Sequence, residues 1–296
     1  MSKSAILKSS LAKKYWMAAT GLFLCTFLIG HLLGNLQLLM SGEDGKVAFN
    51  QYAYFMTHNI FIKVLSYLTY ISILFHAIDG FALTIQNKKA RPVNYAYNKP
   101  SANSSLPSRY MAILGTLILV FISTHMVNFW WKMKYASDPM PLHAVHIKAP
   151  GSTEEQKLYL THNNTYIPAA LFEDKPEAPA ELIVKNGTEI YNKEYNLKQA
   201  EGYKDLHSVV AAFFGQDKVK DGAGEANKYA LVAVLFYVLS MAVLAFHLWH
   251  GFASAFQTMG VNHKNWNGAI RFIGRSFAIV VPFLFAVIPV YIYLTR

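Results

Sequence analysis

Four histidines, His31, His76, His125 and His247, lie one apiece in the first four long apolar segments of the chain. An ionisable side chain inside a membrane span is energetically costly, and such residues usually mark a functional site. The neutral imidazole is also a common metal ligand in proteins. A hydrogen bond to a neighbouring helix would explain one such histidine, but four of them indicate metal ligation. A proton relay is the alternative, although Asp79 is the only carboxylate within the predicted spans.

The apolar segments predict an all-α membrane protein with five transmembrane helices. Hydrophobic residues make up 53% of the chain and charged residues only 15%. Each segment has at least the ~20 residues that cross a hydrocarbon core ~30 Å thick. The predicted spans are residues 15–40, 61–86, 110–133, 229–256 and 272–294.

Basic residues predict how these spans are oriented. Lys3, Lys8, Lys13 and Lys14 precede the first span, and more lysines and arginines fill the connections between spans two and three and between spans four and five. Cytoplasmic loops carry such an excess, so we expect a multi-pass protein of the inner (cytoplasmic) membrane with its N-terminus in the cytoplasm and its C-terminus outside. The net charge of +10 is interpreted as this topology signal, and no nucleic-acid partner is expected.

Cysteine content limits the cofactors that the histidines could hold. The chain has one cysteine, Cys25, and it lies in the first predicted span. The four thiolates of an iron–sulfur cluster are therefore missing, and no C-x-x-C-H sequence is present for covalent haem attachment. Any redox cofactor of this chain must be held by histidine.

The depths of the histidines predict how they pair. All four lie in the C-terminal half of their span, and successive spans run in opposite directions. His31 and His125 therefore share an outer level, and His76 and His247 share an inner level, roughly 9 Å apart along the membrane normal. Because facing helices of a four-helix bundle build cofactor sites, the first four spans are expected to form a bundle that holds two haems b. Glycines expected to make room for the flat rings are Gly34, Gly80, Gly115 and Gly251.

The stretch between spans three and four is too long and too polar for a simple connection. Residues 138–202 are expected to form a small external insertion, with short strands near residues 181–184 and 187–191. Residues 203–214 predict an amphipathic helix at the membrane interface. The chain is therefore divided into residues 1–137 with spans one to three, the insertion at 138–202, and residues 203–296 with the interfacial helix and the last two spans. The insertion contains no predicted ligand and is expected to be dispensable for electron transfer and to serve stability, shielding of the outer face or contact with another complex.

Several stretches give the chain a family resemblance. They are residues 29–35 (Ile-Gly-His-Leu-Leu-Gly-Asn), 49–51, 54–56, 75–80, Gly115 with Thr124-His125, and 246–260. In these stretches, and in the order of its four histidines, the chain resembles the di-haem cytochrome b membrane-anchor subunit of succinate:quinone oxidoreductases and quinol:fumarate reductases with a single five-span anchor. The Phe-His-Leu-Trp-His-Gly run at residues 246–251 is the most specific element. The resemblance covers all five spans and is absent over the insertion.

The resemblance implies roles for the site residues. It gives His76 and His247 to the inner haem and His31 and His125 to the outer haem, in agreement with the depths, and it selects His247 rather than His250 as the ligand. Further candidates for binding the haems are Arg109, Ser254 and Thr258. Candidate quinone residues are Asn50, Gln51 and His58 near the outer haem, and Asp79, His250 and Gln257 towards the cytoplasmic end. The expected quinone is menaquinone.

The expected function is electron transfer between soluble partners and the membrane. The chain would dock a flavoprotein subunit and an iron–sulfur subunit on its cytoplasmic face and pass electrons between them and membrane quinone. Quinone would react on this subunit, whereas the succinate or fumarate chemistry would not. Membrane lipid is a further expected partner, and a higher oligomer of the complex is left open. The alternatives are a di-haem anchor of a hydrogenase or formate dehydrogenase and a haem-free transporter.

Overall fold

The computed structural model describes residues 9–93, 97, 99–135, 141–148, 151, 153–176, 178–216 and 227–296. Lys3 and Lys8, which contributed to the predicted orientation, and the predicted boundary between residues 137 and 138 lie outside the described residues. The described part is mostly helical, and two small sheets lie between the third and fourth long helices along the chain.

The long helices agree with the predicted spans. The helices, numbered along the chain, are α1 (Ser10–Asn35), α2 (Gly42–His58), α3 (Ile60–Lys89), α4 (Pro100–Asn103), α5 (Leu106–Arg109), α6 (Met111–His125), α7 (Lys132–Tyr135), α8 (Leu206–Phe214), α9 (Ala230–Thr258) and α10 (Lys264–Thr295). A 3-10 turn (Leu36–Leu39) extends α1, and a π-helical stretch (Met126–Trp131) joins α6 to α7. Among the described residues, five helical segments are long and apolar enough to cross a membrane: α1 with its turn, α3, α6 through α7, α9 and α10. The five-span prediction is confirmed in helix length and composition.

Hydroxyl side chains within the long helices bond to the helix that carries them. The acceptor is the carbonyl four residues earlier for Ser66, Thr84, Thr116, Ser123 and Ser240. A hydroxyl without a partner would be costly in hydrocarbon, and this local bond satisfies it without any contact to another helix. These polar residues are therefore compatible with membrane spans.

The described part of the insertion contains two antiparallel sheets of three strands each, and both predicted strands lie in the second sheet as β4 and β5. The strands are β1 (Ala144–Lys148), β2 (Glu155–Leu160), β3 (Tyr166–Pro168), β4 (Leu182–Lys185), β5 (Glu189–Asn192) and β6 (Lys198–Glu201). Asn186 and Gly187 have φ of 51° and 80° at the tight turn from β4 to β5. Two successive positive φ values are typical of the Asn-Gly hairpin turn, because its twist matches that of the flanking strands.

The described residues form two compact units. The first unit comprises the described parts of residues 1–33, 60–124 and 235–289, and the second unit comprises those of residues 34–59, 125–234 and 290–296. The first unit contains most of each long apolar helix. The second unit contains both sheets, α2, α8 and the ends of several long helices. The residues of the second unit do not match the predicted division of the chain, because residues 34–59 group with the insertion.

Two helices of the second unit, α2 and α8, differ from what the sequence predicts. Residues 41–60 read as a short polar loop, yet 42–58 form the helix α2. The amphipathic helix predicted at 203–214 is present as α8, but most of its side chains are buried and it packs against α2. The ring of Phe49 on α2 meets that of His207 on α8 edge-on at 6.0 Å. The apolar face of α8 is thus covered by protein.

Candidate functional site

His76 on α3 and His247 on α9 lie together in the first unit. Their ring centroids are 6.3 Å apart and the rings are inclined by 68°. The structure therefore brings together one of the two predicted pairs.

Two residues of α1 that the sequence analysis missed position His76. The hydroxyl of Thr20 lies 3.2 Å from Nδ1 of His76, and it donates its single proton to the carbonyls of Trp16 and Met17 at 2.9 and 3.1 Å. An Nδ1–H of His76 therefore has the Thr20 hydroxyl as one acceptor and the backbone of Met17 as a second partner, which leaves Nε2 with its lone pair. A Cβ at Gly21 would lie 3.1 Å from Cε1 of the same ring. Such a bond on the far nitrogen is the usual support of a metal-ligating histidine.

His247 has a different environment. Its Nδ1 is buried and has no hydrogen-bond partner among the described residues. Gly115 on α6 approaches the ring, and a Cβ there would lie 3.8 Å from Cε1 of His247. Gly115 thus lies beside His247, as expected for a glycine that makes room next to this histidine. Buried polar nitrogens are normally paired, so the unpaired Nδ1 needs an explanation.

His31 and His125 lie in separate units, and each has aromatic neighbours. His31 stacks on Phe27 at 5.4 Å and lies 5.7 Å from Phe285, with rings inclined by 14° and 37°. His125 is the last residue of α6 and meets Phe129 edge-on at 5.4 Å, inside the π-helical stretch. Single π-helical turns occur frequently at functional sites. The pairing of these two histidines stays a prediction.

The other predicted glycines differ in what surrounds them. A Cβ at Gly34 would collide with the ring of Tyr52 on α2, so a larger residue fits there only if Tyr52 shifts. Beyond the backbone of its own helix, a Cβ at Gly80 would meet no atom within 4 Å, and one at Gly251 would lie 3.9 Å from Cε of Met111. Gly34 therefore lies at a close contact between α1 and α2, a place where glycine is common between helices.

One cavity of about 370 Å³ in the first unit is lined by several of the residues that were predicted to bind haem or quinone towards the cytoplasmic end. The lining residues are Ser105, Trp249, His250, Ala253, Ser254, Gln257, Arg271, Gly274 and Arg275. His250, Ser254 and Gln257 were predicted, whereas Arg271 and Arg275 had been interpreted only as topology signals. Asp79, Arg109 and Thr258 do not line this cavity. Arg109 instead donates to the carbonyl of Ser104 at 2.9 Å.

Asn50, a predicted quinone residue, has every hydrogen-bonding group of its amide engaged within the second unit. Its Nδ2 lies 2.8 Å from Nδ1 of His143 and donates to Oδ1 of Asp205 at 2.8 Å, and its Oδ1 accepts from the backbone N–H of His207 at 2.9 Å. The residue is 1% exposed. Asn50 thus connects α2 to the insertion and to α8, and neither N–H of its amide is left to donate to a quinone carbonyl.

A buried ion pair lies beside Asn50. Nζ of Lys46 lies 3.1 Å from Oδ2 of Asp205 and donates to the carbonyl of Ala144 at 2.7 Å. Asp205 also caps the first turn of α8 by accepting from the backbone N–H and hydroxyl of Ser208 at 3.0 and 2.7 Å. Buried charges are tolerated only with such partners, and removal of one partner typically costs ~3–5 kcal/mol. We name Lys46, Asn50, His143, Asp205 and Ser208 the polar core.

Gln51 and His58 belong to an aromatic cluster in the second unit. Tyr54 stacks with His58 at 3.9 Å and lies 3.9 Å from His162, whose ring is 4.4 Å from that of Tyr203. Gln51 bonds to the side chain of Tyr203. Burial raises the pKa of Tyr54 and of Tyr203 and lowers the pKa of His162. His162 and Tyr203 were not predicted as members of this site, because they lie more than a hundred residues from α2 in the sequence.

Comparison of the chain with protein-family models, with curated proteins and with solved structures finds no match. Inferences about function therefore depend on the residues and the geometry described above.

Proposed function

We propose that the chain is a membrane-embedded di-haem cytochrome b that anchors a succinate dehydrogenase or fumarate reductase and passes electrons between that enzyme and membrane quinone. The observation that carries the proposal is the pair His76 and His247, with ring centroids 6.3 Å apart inside two long apolar helices. The described residues hold no group of three or more His, Cys, Asp or Glu side chains placed to bind a metal. Bis-histidine ligation of a haem needs only two such side chains.

The surroundings of the pair fit a haem. The bond to Thr20 orients His76 and leaves the lone pair of its Nε2 available. Nδ1 of His247 is buried and has no hydrogen-bond partner among the described residues, so this ring is available to another group. Gly21 and Gly115 keep side-chain atoms away from both imidazoles. When bound, haem b supplies reversible one-electron redox chemistry. The chain itself contributes ligation, orientation and exclusion of water.

The second haem is proposed on His31 and His125. Their positions in the first and third spans support this assignment, as do their aromatic neighbours and the π-helical stretch after His125. Four histidines in four successive spans then give two ligand pairs, and these spans would form the four-helix bundle.

The assembly with a flavoprotein and an iron–sulfur subunit is supported by the Phe-His-Leu-Trp-His-Gly run at residues 246–251 and by the order of the four histidines. Basic residues in the last turn of α3 and in α10 support a cytoplasmic location for the face that would dock these subunits.

The test of the haem proposal is the visible spectrum of the purified chain, reduced minus oxidised, with a haem count per chain. We expect a b-type α-band and two haems. His76→Ala and His247→Ala should each lose the same spectral component, and His31→Ala and His125→Ala should lose the other. His146→Ala, a change in β1 outside the spans, is the control and should keep both. No b-type band in the wild type would contradict the proposal and favour the transporter alternative.

The test of the enzyme assignment is co-purification of the two soluble subunits followed by succinate and fumarate assays. Hydrogenase or formate dehydrogenase subunits in their place would contradict it. The quinone assignment is tested by Gln51→Ala with His58→Ala, which should raise the apparent quinone KM while both haems remain. Unchanged quinone kinetics would exclude these two residues.

A further inference from the structure

The cavity of about 370 Å³ in the first unit has a basic lining. Arg271 and Arg275 are one helical turn apart on α10, and both are exposed. His250, Ser254 and Gln257 line the opposite side from α9, and none of the residues that line the cavity is a carboxylate. The cavity therefore offers two cations and several neutral hydrogen-bonding groups, which is the composition of an anion site.

The arginines are suited to phosphate. A guanidinium presents a planar fork of donors that matches the oxygens of phosphate and carboxylate groups. The guanidinium carbon of Arg275 lies 5.2 Å from the ring centroid of Trp249, a cation–π contact that orients the side chain. Tryptophan is enriched where a span meets the lipid headgroups, and so this contact fits a site at headgroup level.

The cavity opens on a different face of α9 from the histidine pair. At about 100° per residue, the α9 residues that line the cavity are centred roughly a quarter-turn from His247 around the helix axis. Beside the arginines, α10 exposes Phe272 at 73% and Ile273 at 55%. Apolar side chains so exposed on a membrane helix face acyl chains. An anion that reaches this cavity from the lipid is therefore favoured over a propionate that reaches it from a haem.

We propose that this cavity binds the phosphate of an anionic phospholipid, with Arg271 and Arg275 as its cationic partners and Ser254 and Gln257 as neutral ones. Basic pockets between membrane helices on the cytoplasmic side bind such headgroups. The site does not depend on haem binding. A neutral quinone would leave both guanidinium groups without an anionic partner.

The experiment measures lipid binding to the detergent-purified full chain by native mass spectrometry, with dioleoyl phosphatidylglycerol and dioleoyl phosphatidylcholine as probes. We expect the wild type to prefer the anionic lipid by about tenfold or more, since each arginine near the headgroup contributes to its attraction. Arg271→Gln with Arg275→Gln should reduce the preference to within about twofold. Lys88→Gln with Lys89→Gln removes the same charge from the end of α3 and should leave the preference intact.

Each contrary result overturns the proposal in its own way. Equal binding of the two lipids by the wild type means that no anionic-lipid site exists, and this arm needs no variant. If the arginine double variant keeps the preference, the anionic lipid binds at another place on the protein. If millimolar inorganic phosphate abolishes the preference, the cavity binds free phosphate. Displacement of the anionic lipid by a short-chain naphthoquinone, or loss of one haem from the double variant, assigns the cavity to quinone or to a propionate.

Discussion

At the scale of single residues, two histidines are fixed by hydrogen-bonding groups on other elements. His76 is held by Thr20 on another helix, and His143 is held between Asn50 and Glu43, whose Oε1 lies 2.9 Å from its Nε2. Because Nδ2 of Asn50 can only donate, His143 accepts at Nδ1 and carries its proton at Nε2. Both histidines are thus fixed in one tautomer by a neighbour with a single hydrogen-bonding role.

The first prediction concerns Thr20. Thr20→Val removes the hydroxyl acceptor of the His76 Nδ1–H while it keeps the shape of the side chain. Under the proposed function we expect haem affinity at the His76–His247 pair to fall ~10–100-fold, the usual effect of losing such support. The midpoint potential of that haem should also rise, because the imidazole donates less electron density. A redox titration measures the shift, and Thr20→Ser, which retains the hydroxyl, should restore the wild-type value. An unchanged potential in Thr20→Val would show that Thr20 only fills space.

The second prediction concerns the pH dependence of stability through His207. Burial of the ring, followed by the nearby Arg296 guanidinium, lowers the pKa of His207 from 6.5 to about 4. The other charged and titratable groups that face it are Asp205, Lys46 and His143. Between about pH 4 and pH 6.5 the unfolded chain binds a proton that the folded chain does not. Stability from this residue is therefore complete above pH 6.5 and is lost as the pH falls towards 4, by roughly 3 kcal/mol in all.

Thermal unfolding of the purified protein between pH 4 and pH 7 measures this loss. His207→Gln can still accept from Nη1 of Arg296, which lies 3.0 Å from Nε2 of His207, but it cannot take up a proton. We expect the variant to have a flatter profile in this window. An equally steep profile in the variant would assign the acid sensitivity to other groups.

At the scale of elements, helix packing decides which glycines are required. Gly34 near the end of α1 and Tyr52 on α2 approach so closely that a side chain at position 34 fits only if Tyr52 or α2 moves. Gly30, one turn earlier on α1, has no atom within 4 Å of its would-be Cβ. Two glycines that look alike in the Gly-His-Leu-Leu-Gly sequence therefore have different packing.

The third prediction uses this difference. Gly34→Ala should destabilise the protein by ~1–3 kcal/mol, because Tyr52 or α2 must move to relieve the collision. Gly30→Ala adds the same atom to the same helix in open space and should be neutral or stabilising by up to ~1 kcal/mol, since alanine favours a helix over glycine. Thermal unfolding of the two variants in parallel gives the comparison. Equal effects would mean that helix propensity alone acts at both positions.

At the scale of the whole molecule, the second unit is a single assembly of segments that are far apart in sequence. Lys46 and Asn50 on α2 bond to Ala144 and His143 in the insertion and to Asp205 before α8. These bonds agree with the expectation that residues 138–202 serve stability, and their dispensability for electron transfer stays a prediction. Their removal would take away two of the groups that satisfy the polar core.

The fourth prediction concerns this removal. Deletion of 138–202 with a short Gly/Ser linker should lower the unfolding temperature by several degrees or more, because a buried hydrogen-bonding group left without its partner costs ~1–3 kcal/mol. The control replaces the exposed loop 193–197 between β5 and β6 with glycines and should cost far less. Thermal unfolding with haem content as a second readout tests both. A deletion variant as stable as the wild type would show that the insertion is an independent appendage.

Sequence reasoning succeeded where the physical signal is local. The five long helices follow from apolar runs of sufficient length, and β4 and β5 follow from the short runs at residues 181–184 and 187–191. It failed for α2, whose polar composition predicts a loop, because the partners that stabilise this helix lie in residues 143–207. Thr20 and Gly21 were missed for the same reason, since nothing near them in the sequence indicates that His76 lies against them. The cavity arginines were assigned only to topology because charge position alone does not reveal a concave site.

The long sequence separations within the polar core have a consequence for synthesis. Asn50 bonds to Asp205, which follows 155 residues later. At the usual ~5–20 residues per second of translation, roughly 10–30 s pass between the emergence of the two residues. During that interval Asn50 on α2 lacks the carboxylate that it bonds in the folded protein, and the ribosome delivers two further long helices and both sheets before Asp205 emerges. Biogenesis of the chain therefore includes a waiting period that the insertion lengthens.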